Sequence, residues 1–228
     1  MKYKFTGKTK EHGITLLHEI KAVRDFGNIK KGTIGGWIEK ESNLSHEGEC
    51  WVYNDAKIFG NAQVFGDAKV FGDALVCGNA KVFGNAQVFE GAKVYGNAEV
   101  YGDAEVYGNA EVSEDAKVYG NAKVYGNAQV FGDALVGGNA KVYENAEVYN
   151  DAKVYGDAQV FGDALVGGNA KVYGDAKVYR NALVCGSTLG KKNQNLPEEL
   201  STLPECIEEV TIRGEKYRRV TKWEKVSE

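Results

Sequence analysis

The residue types able to do chemistry are few in this chain and poorly spaced for it. Histidine, the usual proton carrier near neutral pH, occurs three times, as His12, His18 and His46, all near the start of the sequence. His18-Glu19 and His46-Glu47 lack the second histidine that a zinc-binding HExxH pair requires. Cys50, Cys77, Cys185 and Cys206 share no metal-ligand spacing. Gly186-Ser-Thr-Leu-Gly-Lys-Lys has the outline of a phosphate loop. However, three residues separate its glycines where four are needed, and no Ser or Thr follows the lysine. Asp115, Asp133 and Asp151 recur in one series, and clustered carboxylates suit hard cations such as Ca²⁺. Asp and Asn interchange freely along that series, as residues of a turn do. No catalytic residue, metal site or cofactor is expected from these groups.

A repeat positions everything else. From Val52 to Leu189 the chain reads as 23 copies of Val-Tyr/Phe-Gly-Asn/Asp-Ala-x without a gap. Val opens 22 copies and Ile58 the other, and Ala holds the fifth place in every copy but the last, where Thr188 stands. A short fixed period is the mark of a solenoid. Residues two apart on a strand share a side, so Ala56 and Ile58 face inward while Lys57 and Phe59 face out. The following Gly-Asn or Gly-Asp tolerates positive φ at a tight corner. Six residues are too few for a strand that reverses. They make a coil of three short parallel strands per 18 residues, with rungs about 4.8 Å apart. The expectation is an all-β parallel β-helix of seven to eight triangular coils, about 35 Å long, its narrow bore filled by Val and Ala. Residues Gln129 to Tyr143 recur unchanged as Gln159 to Tyr173. That offset is a whole number of hexads but not of coils, so the two copies must fall on different faces.

The residue after each inward Val sorts into three outer columns. The first is aromatic throughout: Tyr53, Phe71, Phe89, Tyr107, Tyr125, Tyr143, Phe161 and Tyr179. The second (Phe59, Cys77, Tyr95, Ser113, Phe131, Tyr149, Gly167, Cys185) and the third (Phe65, Phe83, Tyr101, Tyr119, Gly137, Tyr155, Tyr173) are interrupted. Where an aromatic is missing, Leu stands two residues earlier at Leu75, Leu135, Leu165 and Leu183, and Ser113 is the exception. Stacked rings stabilise such a sheet by roughly 0.5–1.5 kcal/mol per pair. The unbroken first column is also longer than the apolar strip a soluble monomer usually exposes, which makes it the candidate interface for homo-oligomerisation.

Open ends of a β-helix need covering. Residues 1–51 are read as an N-terminal cap in which Ile14 to Val23 is a short apolar strand or helix, with Trp37 and Trp51 as plugs over the first coil. Residues 190–228 are read as a linker, a PEEL turn framed by Pro197 and Pro204, and a capping hairpin around Arg213-Gly214. The segment Gly35-Gly-Trp-Ile-Glu-Lys-Glu-Ser-Asn-Leu-Ser-His-Glu-Gly-Glu-Cys-Trp-Val-Tyr and the hexads after it resemble phage and prophage hexapeptide-repeat proteins, often labelled polymer-forming or acetyltransferase-like. The resemblance covers most of the chain and implies a left-handed coil. Hexapeptide acyltransferases carry a histidine base on the helix and loop insertions that build a pocket. Here the helix has no histidine and the hexads run uninterrupted. The resemblance therefore implies a non-enzymatic scaffold or binding protein. It also leaves open a protein that engages a host protein or sequesters a small ligand, and a degenerate acyltransferase.

Charge narrows the partners. The 228 residues carry a formal net charge of -4, and the hexad region holds 11 Lys+Arg against 17 Asp+Glu. This balance argues against a nucleic-acid surface. There is no apolar run of membrane-spanning length and no signal-peptide pattern at Met1-Lys-Tyr-Lys-Phe, so a cytoplasmic location in a bacterial host is expected.

Overall fold

A computed structural model describes residues 1–186 and 188–189, and beyond them the backbone of three strands. Among the described residues the chain is all-β apart from one 3-10 turn at Glu41–Asn43. From Trp51–Val52 to Leu183–Cys185 each hexad contributes one two- or three-residue strand, and every third strand pairs in parallel register. Lys123 and Val124, for example, pair with Lys141 and Val142. Three parallel sheets result, forming a β-solenoid of about eight coils consistent with a left-handed β-helix.

The alternation of the hexad accounts for the core. Val and Ala line the bore and are fully buried from Val52 to Val172. Each rung is tied to the next by backbone bonds on either side of the inward Val. Lys123 N donates to Ala140 O at 2.9 Å, Tyr125 N to Val142 O at 3.0 Å, and Asn127 N to Glu144 O at 2.7 Å. The corners need the left-handed region. Gly126 has φ +74, and a Cβ there would lie 2.9 Å from the Glu144 nitrogen. Glu90 and Glu114 hold the same conformation with a side chain. Their Oε2 atoms accept the N–H of Gly108 and Gly132 one coil on, at 2.9 and 2.8 Å, which offsets the strain.

The 15-residue duplication behaves as the hexad unit requires. Gln129–Val130 lies in the sheet that begins at the N-terminal strands, whereas Gln159–Val160 lies in the sheet that begins at Trp51–Val52. The last hexad closes one residue short. Thr188 and Leu189 pair with Lys171 and Val172, so Leu189 takes the inward register a full hexad would have given to the next residue.

At the N-terminus, β1 (Tyr3–His12) and β2 (Thr15–Ala22) form an antiparallel hairpin, and β3 (Ile34–Ile38) pairs antiparallel with β2 on one side. Ile14 to Val23, left between strand and helix by its sequence, is therefore mostly strand. On its other side β3 runs parallel to Lys57–Ile58, with Trp37 opposite Lys57 and Ile38 opposite Ile58. Leu44 bridges Val64, six residues after Ile38. Ile34 to Trp51 thus stacks on the first full coil in its register. Near the C-terminus, Glu209–Ile212 pairs antiparallel with Glu215–Arg219, and that strand pairs with Trp223–Lys225. The PEEL segment and the Arg213-Gly214 turn lie outside the described residues.

Candidate functional site

The first outer column is a continuous stack. Phe71, Phe89, Tyr107, Tyr125, Tyr143 and Phe161 follow one another at ring-centroid spacings of 4.7 to 5.0 Å with interplanar angles of 5° or less. Phe161 to Tyr179 opens to 5.4 Å, and Tyr53 meets Phe71 edge-on at 6.2 Å. The spacing is that of the rungs, so the sheet itself sets the stack. From Phe71 to Tyr179 each ring covers its neighbour's face, and all eight residues of the column are half-buried. Burial raises the phenol pKa of Tyr53, Tyr107, Tyr125 and Tyr143 above the ordinary value. The ladder is accordingly uncharged at neutral pH. Beside it runs a polar column in which Lys123 pairs with Glu105 at 2.8 Å.

The other two columns break where the sequence predicts, with an arrangement that spacing alone did not reveal. Phe65, Phe83, Tyr101 and Tyr119 stack at 4.8 to 5.4 Å, and Tyr155 stacks on Tyr173 at 5.4 Å. Between them the Tyr119 ring lies over Gly137, where an added Cβ would fall 2.3 Å from Cζ. Tyr149 covers Gly167 in the same way. The two glycines are the signal: their missing side chains let the ring below lean into the gap. A shallow groove of about 710 Å³ runs alongside the third column, lined by Tyr101, Tyr119 and Leu135 among others. Its charged floor is internally paired, with Glu99 bridging Lys81 at 3.4 Å and Lys117 at 3.3 Å.

The corners carry side-chain ladders of their own. Asn61, Asn79 and Asn97 each donate an amide N–H to the next rung, ending on Asp115. Asn109, Asn127 and Asn145 do the same and end on Asp163. A carboxylate can only accept, so Asp terminates each run. Asp115 is the end of an amide ladder in this sense, and among the described residues no group of three His, Cys, Asp or Glu is placed to hold a metal ion.

The histidines are scattered rather than convergent. His12 packs on Phe59 at 5.3 Å, His18 on Phe5 at 4.8 Å and His46 on Tyr3 at 4.4 Å. Burial holds the His46 pKa below its ordinary value, and its Nδ1 accepts the Lys2 backbone N–H at 3.3 Å. Trp51, expected with Trp37 over the bore, stands at the outward register of Lys69 and is fully buried by the N-terminal segment, edge-on to Phe26 at 5.4 Å and Tyr3 at 6.3 Å. Trp37, expected over the bore, stands instead at the outward register of Lys57. Its Nε1 donates to Asp55 Oδ1 at 3.3 Å, and Lys10 Nζ lies 5.5 Å from its ring. The strand that carries Trp37 runs along one wall of the coil, with Gly36 lying over Ala56. A Cβ on Gly36 would meet Val52 Cγ1 and Ala56 O at 2.7 Å, so no side chain fits there.

No family model matches the chain. Over 48 residues it is 48% identical to a protein of Escherichia coli strain K12 named "Uncharacterized acetyltransferase YdcK". That stretch is 21% of this chain and 15% of the relative. Repeat, coil and match fit a hexapeptide-repeat protein. Among the described residues no helix is long and apolar enough to cross a membrane.

Proposed function

We propose that the chain is a non-enzymatic β-helical scaffold that associates with a second copy of itself through the first aromatic column. The observation that carries this reading is the continuity of that column over eight rungs, against two columns that break. A rigid coil holds the rings in place before any partner arrives, which lowers the ordering cost of association. The polar column beside the rings supports an antiparallel twofold arrangement. Such pairing sets ladder on ladder with the rungs reversed, placing Glu105 opposite Lys123 of the second copy and Lys69 opposite Gln159. No two lysines of the column then face each other, and the interface is isologous. The resemblance of the leader supports a phage or prophage origin and a place in the bacterial cytoplasm, where the partner in a wider assembly is a host protein or a small ligand.

Static light scattering on the purified chain at micromolar concentration tests the reading. A dimer that dissociates when Tyr107, Tyr125 and Tyr143 are replaced by Ser is the expected result, and a clean monomer refutes it. A second reading, acyl transfer, is favoured by the name of the E. coli relative. Heat on titration with acetyl-CoA, with binding at micromolar affinity, would revive that reading, and no heat would bury it.

A further inference from the structure

Beneath the N-terminal strands lies a lysine without a carboxylate. Lys2 is fully buried. Its Nζ lies 3.4 and 3.3 Å from the carbonyl oxygens of Glu47 and Gly48 and 3.0 Å from Cys50 Sγ, with the Phe26 ring at 5.1 Å. Buried ammonium groups are normally met by an acid, yet Lys2 takes part in none of the ion pairs among the described residues. Cys50 is equally buried, its Sγ otherwise facing the carbonyl oxygens of Ser45, Glu47 and Val64 at 3.6, 3.7 and 3.5 Å. Burial pushes its thiol pKa up, and Lys2 draws it back down.

The chemistry of this pair follows from its contacts. Oxidised cysteine sulfur is an electrophile that a neighbouring thiol or nitrogen captures. None of the groups touching Sγ is a second thiol, and the carbonyl oxygens are poor nucleophiles. The Lys2 amine is in contact with the sulfur in a site closed to water. We propose that Lys2 and Cys50 form an oxidative crosslink, Nζ–O–Sγ, with molecular oxygen as the oxidant, joining the start of β1 to the first coil. A small apolar oxidant suits a site that excludes water. One inserted oxygen atom spans a gap of this size, whereas a direct S–N bond requires the two atoms to close to covalent contact inside a packed core.

The step balances. One amine, one thiol and one dioxygen give the Nζ–O–Sγ link and one water. Nitrogen and sulfur each lose two electrons, and dioxygen takes all four. One oxygen atom stays in the bridge, and the other leaves as water with the thiol hydrogen and one amine hydrogen. The ammonium–thiolate form of the pair carries the same atoms and charge, so the sum is unchanged. The link spans 48 residues of sequence, and closing such a loop restricts the unfolded chain as a disulfide does.

The test is peptide mapping by mass spectrometry on the full chain, one sample held in air-saturated buffer and one in dithiothreitol. The aerated sample should yield a peptide joining Lys2 to Cys50, heavier than the two linear peptides by about 14 Da, one oxygen gained and two hydrogens lost. Reduction should abolish it and lower the thermal midpoint. Cys50→Ser and Lys2→Met chains should show neither the peptide nor the redox-dependent midpoint. The peptide itself is read on the unaltered protein, so the result does not depend on either variant folding. A freely alkylated Cys50 after aeration overturns the proposal. So do a Cys50 carrying oxygen without linkage and a joined peptide lacking the extra oxygen.

Discussion

At the scale of single residues, two kinds of glycine and one kind of valine make opposite demands on substitution. Gly126 sits at φ +74 with backbone 2.9 Å from where its Cβ would be, so Gly126→Ala should destabilise by about 1 kcal/mol or more, read as a lower denaturant midpoint. Gly137 meets only the far end of the Tyr119 side chain. Gly137→Phe should therefore push that ring out and complete the third column. Two new stacked pairs would form, each worth about 0.5–1.5 kcal/mol, and the midpoint should rise. A fall at Gly137→Phe would mean that the leaning ring, not the empty rung, is the preferred packing. Inside the bore, Val124 is fully buried among Val and Ala. Val124→Phe should cost about 1–3 kcal/mol or more through overpacking, measurable by the same denaturation.

At the scale of the element, the aromatic ladder couples stability to alkaline pH. The phenols of Tyr107, Tyr125 and Tyr143 are raised by burial, so the folded state favours their neutral form. The unfolded chain ionises first, near its ordinary value of about 10. The stability these rings contribute is intact below that pH and is lost as the pH rises through the higher folded values. Replacing the three tyrosines with Phe should leave neutral-pH stability nearly unchanged and move alkaline unfolding, followed by circular dichroism, to higher pH. An unmoved transition would place its cause elsewhere. The ladder itself was legible in the sequence, because a period of six on a three-sided coil assigns each residue to a face. The coil's direction at its ends was not. Trp37 reads as a plug by size and hydrophobicity, but strand register turns it outward, and Gly36 lies over Ala56 where only bare backbone fits. The one-residue deficit at Leu189 was hidden for a similar reason, since Thr188 continues the count while pairing decides the register.

At the scale of the whole molecule, a regular coil repeats its side chains in columns, and among the described residues its chemistry is spread along them. The three histidines, each packed against a separate aromatic ring, illustrate the point. What such a shape does well is present one pattern many times in a straight line. The antiparallel pairing makes a specific demand on charge, because Glu105→Lys would set lysine against Lys123 of the second copy. That variant should keep its coil and weaken the dimer, with a loss that shrinks as salt is added. The most direct test of the account is the mass of the particle in solution. Sedimentation equilibrium at micromolar concentration should give twice the 24.8 kDa chain mass. It should give the single-chain mass for the Tyr107, Tyr125 and Tyr143 triple Ser variant. A single-chain mass for the unaltered protein, or a dimer that survives the triple substitution, would contradict the claim that the ladder is an interface.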